Sequence, residues 1–362
     1  MKKNVFIIAE AGVNHNGSIV KAKKLIDIAK KSGADAIKFQ SFNTNEITTK
    51  YSKKAKYQII SNEKSETQAQ MLKKLELSKK AHFILKDYCR HKKIEFMSTA
   101  FDIESLEFLI KEIKIKRIKI ASGEITNALL LKKCAESKCK IILSTGMSDI
   151  NDIKNALKII AHIKLNKSLD SKTTKKSLSI SYNEAVQKNI LNKYVSLLHA
   201  TTEYPVPFNQ VNLLAMKTIK KVFGLEIGYS DHTNGIAIPI AAVSLGATII
   251  EKHFTINKNL PGPDHKASLA PEELYEMVKN IRDVEKSFGS YNKEPTKSEI
   301  ENSKVIRKSI VAKRDIEIGE LFNKDNICIK RPGTGLSPMN YWNLIGKKSK
   351  KKYFFDEIIY DD

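Results

Sequence analysis

The chain has 362 residues, 41% hydrophobic and 28% charged, a composition that fits a globular protein and leaves no stretch near the ~20 apolar residues of a membrane span. Its four cysteines (Cys89, Cys134, Cys139, Cys328) form no CxxC pair and no regular framework, so a cytoplasmic location is expected and a disulfide scaffold is not. The formal charge of +23 raises nucleic acid as a partner, but the lysines are spread over nearly every helical stretch, without an RNA-binding motif or interleaved aromatics, so the basic surface is read as solvated and no nucleic acid or membrane partner is expected.

The first β-branched run, 5–9, ends at Glu10 and is too short for a secretion signal. An amphipathic stretch follows over 19–31, with Leu25, Ile28 and Ala29 on one face, and Gly33 stops it before a second run at 36–40. Further runs at 94–99, 117–121, 140–144, 194–200, 225–229 and 248–253 alternate with helical stretches such as 103–113, 149–163 and 271–287. Eight alternations predict an α/β fold, a closed parallel (β/α)8 TIM barrel over residues 1–288. An open doubly wound sheet is the alternative, but the GxGxxG loop that would favour it is absent, and neither nucleotide nor flavin is expected. The polar segment 43–65 follows the second strand and is read as a lid, whereas 166–174 faces the opposite end of the barrel and is given no chemistry. A linker is expected over 289–303. A small domain follows over 304–362, with short β-like runs at 309–312 and 327–330.

In such a barrel the reacting groups sit at the C-terminal strand ends. Every predicted strand ends in polar or ionisable residues: Glu10; Lys38 and Gln40; Ser98 and Thr99; Lys119 and Ser122; Ser144; Thr202 and Tyr204; Ser230, Asp231 and His232; Glu251, Lys252 and His253. A packed core has no use for them, since each buried polar group left unpaired costs about 1–3 kcal/mol. His232 and His253 close adjacent strands and suit a divalent ion such as Mn²⁺. Lys38 and Lys119 rise from apolar strands and must meet anions. A phosphate and a carboxylate of one small substrate would serve, with the hydroxyls of Thr99, Ser122 and Ser144 completing the pocket. Buried ion pairs with Glu10 or Glu124 are the alternative, and a Schiff-base role for Lys119 stays open. Glu10, an isolated carboxylate on an apolar strand, is the leading acid/base candidate, although the same position could hold a lysine by ion pairing. Lys38, Lys119 and Lys252 are the lysines expected at the mouth. His82, His91 and His162 fall in helical stretches and are read as surface residues.

The segments AEAGVNHNGS, GADAIKFQ, FMSTAFD, IKIASGEI, ILSTGM, TTEYPVPFNQVNL, GYSDHTNG, EKHFT and GPDHKASLAPEEL resemble the bacterial sialic acid synthases, which include N-acetylneuraminate synthase and its legionaminate and pseudaminate relatives. RKSIVAKRDIEIGELF and IKRPGTGLSPM resemble that family's antifreeze-like (SAF) domain, although ice binding does not follow from the likeness. The resemblance implies a domain-swapped homodimer in which each small domain covers the partner's barrel mouth. It implies Mn²⁺ or Mg²⁺ on His232 and His253, with Glu10 as acid/base. Lys38, Thr99, Lys119, Ser122, Ser144 and Ser230 would line a phosphoenolpyruvate site, while Gln40, Tyr204 and Asp264 would face an N-acetylated amino sugar with Arg331 of a second copy. Thr202 stands where many members have Asn, which bears on the choice of sugar. The reaction implied is condensation of phosphoenolpyruvate with open-chain N-acetylmannosamine and water to N-acetylneuraminate and phosphate, by C–O cleavage. The alternative acceptor is 2,4-diacetamido-2,4,6-trideoxymannose, giving N,N'-diacetyllegionaminate. The nearest enzyme alternative, a phosphoenolpyruvate-condensing synthase acting on an acceptor such as an arabinose phosphate, would call for more basic groups at the mouth; from a different class, a non-catalytic carbohydrate-binding barrel would lack Glu10 or the histidine pair.

Overall fold

The structure is a computed structural model that describes residues 4–49, 52 and 67–360. Eight parallel strands close in sequence order into a barrel: β1 (Phe6–Gly12), β2 (Ala36–Ser41), β3 (Glu95–Ala100), β4 (Arg117–Ile120), β5 (Lys140–Ser144), β6 (Val195–Ala200), β7 (Glu226–Asp231) and β8 (Ile249–His253). The predicted barrel is therefore observed. Its first strand runs further than expected, so that Glu10 lies inside β1 rather than at its end.

Period-two alternation divides each strand between two environments. Residues such as Ile7, Ile37 and Phe39 pack outward on the helices, α1 (Ile19–Lys31) contributing Leu25 and Ile26. Ser18 caps α1 by accepting the Lys21 N–H, and Gly33 follows with φ at +82°, a conformation that suits glycine and turns the chain into β2. The opposite parity fills the barrel interior in layers. Ile8, Ala36, Met97, Ile142, Leu198 and Ile249 form an apolar floor. At this level β7 carries Gly228, where a Cβ would sit 2.4 Å from the Ile249 carbonyl oxygen, so glycine is required for β7 to approach β8. Two residues higher on the same strands the interior turns ionic.

After β2 the chain forms two short helices, α2 (Thr44–Ile47) and α3 (Gln68–Lys73), followed by α4 (Lys79–Lys92). Most of the segment read as a lid, residues 50, 51 and 53–65, lies outside the described residues. The described part around it is apolar: Val13, Phe42, Met71 and Leu75 form a buried cluster with Ile47 and Leu72 packed on it.

Two histidines expected at the surface are buried. His82 of α4 is hydrogen-bonded through Nε2 to Ser41 Oγ (2.6 Å) and through Nδ1 to the Ser78 carbonyl (2.9 Å). His162 pairs with Ser181 Oγ and the Ser168 carbonyl. With both ring nitrogens of each matched by protein partners, neither ring has a reason to stay in water. His91 is exposed, as expected.

The chain divides into two compact units, Met1–Phe288 and Gly289–Asp362. In the second, β9 (Ser309–Ala312) and β10 (Ile327–Lys330) pair antiparallel over a separate core that includes Ile310, Ile316, Phe322, Ile327 and Tyr353. A helix, Lys297–Ile306, occupies part of the segment expected to be a plain linker, and Thr296 caps it. Among the described residues no helix is long and apolar enough to cross a membrane.

Candidate active site

A cavity of about 480 Å³ opens at the C-terminal ends of the barrel strands. Its lining contains Glu10, Lys38, Gln40, Thr99, Lys119, Ser122, Ser144, Thr202, Tyr204, Ser230, His232, His253 and Asp264, the barrel residues expected to have a catalytic, substrate-binding or metal-binding role. Strand register explains the convergence. Glu10 stands opposite Lys38 on one side and His253 on the other, Thr99 lies opposite both Gln40 and Lys119, and Ser230 is opposite Glu251.

The ionic layer directly above the floor holds two lysines and two carboxylates. Lys38 Nζ lies 2.9 Å from Glu10 Oε2 and 3.7 Å from Glu251 Oε1, and donates to Thr99 Oγ1 at 3.0 Å. Lys119 Nζ lies 2.9 Å from Glu251 Oε1, which also accepts from Ser230 Oγ at 3.1 Å. Glu10 is thus not an isolated carboxylate, and the partner of Lys119 is Glu251 rather than Glu10 or Glu124. Burial pushes the Glu10 carboxyl up to about 7 against the opposing pull of Lys38. Burial also acts against Glu251, yet Lys119 and Lys38 hold it down at about 2. Burial lowers Lys119 below the usual lysine range, whereas for Lys38 the carboxylates of Glu10 and Glu251 outweigh burial and raise it. Ser144 Oγ, in the same layer, is buried without a hydrogen-bond partner.

Above this lies the layer of Gln40, His232 and His253. The two imidazole centroids are 5.6 Å apart. His232 turns Nδ1 to the Thr201 carbonyl, so that nitrogen carries the proton and Nε2 presents a lone pair, which accepts from Tyr204 OH at 3.1 Å. His253 Nδ1 is buried with no hydrogen-bond partner, and Asp264 Oδ2 stands 3.9 Å from it. Burial keeps both rings neutral, taking His232 down to about 4 and His253 well below its ordinary value, and raises Asp264 to about 6. Two neutral imidazoles, one with a partnerless buried nitrogen, fit the donor chemistry of a divalent cation. Among the described residues no group of three or more His, Cys, Asp or Glu side chains is arranged to hold a metal unaided, so substrate oxygens or water would complete the shell.

Ser122 Oγ accepts the Gly146 N–H at 3.0 Å, fixing the loops after β4 and β5, and Thr202 Cγ2 packs beside the same glycine. Lys252, expected at the mouth, is instead buried on the outer side of β8, bonded to Asp231 and to the Thr233 carbonyl, because its parity is opposite to that of Glu251 and His253. Glu251 is named from the sequence only as part of the last strand end and is given no role there. The two-residue spacing that marks Lys38 and Gln40 as neighbours applies equally to Glu251 and His253. Arg331 is exposed in the second unit, immediately before Pro332.

Comparison with known proteins covers nearly the full length. The NeuB family profile matches residues 25–293 and the SAF domain profile residues 307–362. The N,N'-diacetyllegionaminic acid synthase of Campylobacter jejuni is 48% identical over 357 residues, covering 99% of both chains. The protein of the same description from Legionella pneumophila is 43% identical over 343 residues, covering 95% of this chain and 90% of its own. Among solved structures, the N-acetylneuraminic acid (sialic acid) synthetase of Leptospira borgpetersenii, in complex with citrate, superposes with a TM-score of 0.65 at 35% identity, covering 83% of this chain and 90% of that one.

Proposed function

The chain belongs to the NeuB family, and on that premise we propose that it condenses phosphoenolpyruvate with open-chain 2,4-diacetamido-2,4,6-trideoxymannose and water, giving N,N'-diacetyllegionaminate and phosphate. Identities of 48% and 43% to legionaminic acid synthases, against 35% to the neuraminic acid synthetase, favour this acceptor over the N-acetylmannosamine taken first from the sequence. The observation that carries the reaction class is the pair of lysines buried at the foot of the cavity.

Lys38 and Lys119 bind the carboxylate and phosphate of phosphoenolpyruvate, with Thr99, Ser144 and Ser230 supplying hydroxyl donors beside them. Seating the reactant there holds its methylene carbon against the acceptor aldehyde, an orientation effect that can reach several kcal/mol. A divalent cation on His232 and His253 would supply polarisation of the aldehyde. The methylene carbon forms the new C–C bond and the aldehyde oxygen takes up a proton. Water then adds at the central carbon, and the C–O bond to phosphate breaks. Glu10, with its carboxyl near 7 and 3.5 Å from Gln40 Nε2, exchanges the protons of these steps. Gln40, Tyr204 and Asp264 face the acceptor, and in the same proposal Arg331 joins them from a second copy in a homodimer.

The test offers the protein each aldehyde sugar with phosphoenolpyruvate and Mn²⁺, and follows phosphate release and product mass. The trideoxy sugar is the expected acceptor. Absence of phosphate with every sugar removes the synthase reading, and preference for N-acetylmannosamine returns the assignment to neuraminate.

A further inference from the structure

The cavity is polar at depth and apolar on one side of its rim. Phe42 lies two residues beyond Gln40, in the buried cluster with Val13, Met71 and Leu75. Ile47 and Leu72 pack on that cluster, and all six line the cavity. The described lysines in the lining, Lys38 and Lys119, both belong to the ionic layer below. At ~3.3 Å per residue, Phe42 stands ~13 Å along the chain from Lys38. A six-carbon acceptor with bonds of ~1.5 Å spans ~6–7 Å when extended. With its C1 beside a reactant seated on the lysines, an acceptor extended along β2 brings its C6 end to this wall.

From this geometry we infer that Val13, Phe42, Met71 and Leu75 form an acceptor-selecting subsite that receives a C6 methyl group and disfavours a C6 hydroxymethyl group. The inference rests on the condensation proposed above and names the wall that discriminates between its acceptors. A C6 hydroxyl entering here gives up water and finds no donor or acceptor among the six side chains; the polar lining residues near them in sequence, Thr48 and Gln68, are bonded to each other, Thr48 Oγ1 donating to Gln68 Oε1 at 2.9 Å. A methyl group loses nothing and gains apolar contact.

The test compares kcat/KM for 2-acetamido-2,6-dideoxymannose and N-acetylmannosamine, which differ only in the C6 oxygen. The wild-type protein is expected to favour the deoxy sugar about 10- to 100-fold, the discrimination an apolar pocket achieves against one hydroxyl. Met71→Gln and Leu72→Gln are expected to bring that ratio toward one, while Met71→Leu retains the preference. Leu72 is only partly buried, so its variant carries the measurement if Met71→Gln does not fold. A wild-type ratio near one overturns the inference, as does loss of activity toward both sugars in equal proportion in the glutamine variants. Failure of the underlying reaction is distinguishable, because it shows as no phosphate release with any acceptor, the diacetamido sugar included.

Discussion

Replacing Glu251 by Gln tests whether the carboxylates in the ionic layer hold the lysines ready for an anionic substrate. Glu251 stands 2.9 Å from Lys119 and 3.7 Å from Lys38. At an effective dielectric of about 20 these separations correspond to gross attractions of about 6 and 4 kcal/mol. Much of this offsets the cost of burying the charges, and removing one partner from a buried pair leaves a net penalty of about 3–5 kcal/mol. For a barrel of this size the melting temperature should fall by about 6–20 °C. The informative measurement is the response to ligand. In the proposed binding mode phosphoenolpyruvate brings negative charge to the same lysines, so at one fixed ligand concentration it should bind Glu251→Gln more tightly and raise its melting temperature by more than that of the wild type. For scale, a ligand at a hundred times its Kd stabilises by about 2.7 kcal/mol. Melting curves followed by circular dichroism, with and without the ligand, give both numbers. Unchanged stability in Glu251→Gln, or equal ligand shifts in the two proteins, would refute the role given to this carboxylate.

Two further outcomes follow from the same burial. His15 is buried and its pKa is taken down to about 4, chiefly by burial and secondarily by His82. The unfolded chain takes up a proton at this residue below about pH 6.5, whereas the folded protein refuses it until about pH 4, so stability falls as pH drops through that window. The slope should approach 1.4 kcal/mol per pH unit, about 3 kcal/mol in all, and urea midpoints for wild type and His15→Gln between pH 7 and 4.5 will show whether the variant's profile is flatter. For the histidine pair, chelator should abolish condensation and Mn²⁺ should restore it, while His232→Ala should need far higher metal concentrations. Full activity in the chelated wild type would end the metal role assigned to His232 and His253.

The barrel was legible because its two signals are local: β-branched runs of strand length, and a polar residue closing each of them. Glu10, Lys38, Thr99, Lys119, Ser144 and Ser230 could be named for that reason, since closure of the barrel brings strand ends together whatever the loops do. The errors arise where parity or tertiary partners decide. Lys252 is expected at the mouth and Glu251 is given no role because the sequence reads the strand end as a block rather than as alternating faces, and the register of β7 against β8 separates them. His82 and His162 are buried by partners such as Ser41 and Ser181 that no helical periodicity connects to them. The apolar wall at the rim was hidden for a related reason: Val13, Phe42 and Met71 belong to three separate segments, and the polar stretch between two of them dominated the local pattern.

The six apolar side chains at the base of the barrel turn the chamber into a cul-de-sac. Among the described residues the floor closes this end, so with the reactants seated as proposed the molecule bound to the lysines would have to enter before the sugar above it, and phosphate would leave only after, or alongside, whatever blocks its exit. Under the proposed function, ordered addition of the two reactants would then follow from architecture, imposed by a hydrophobic stopper directly beneath the lysines.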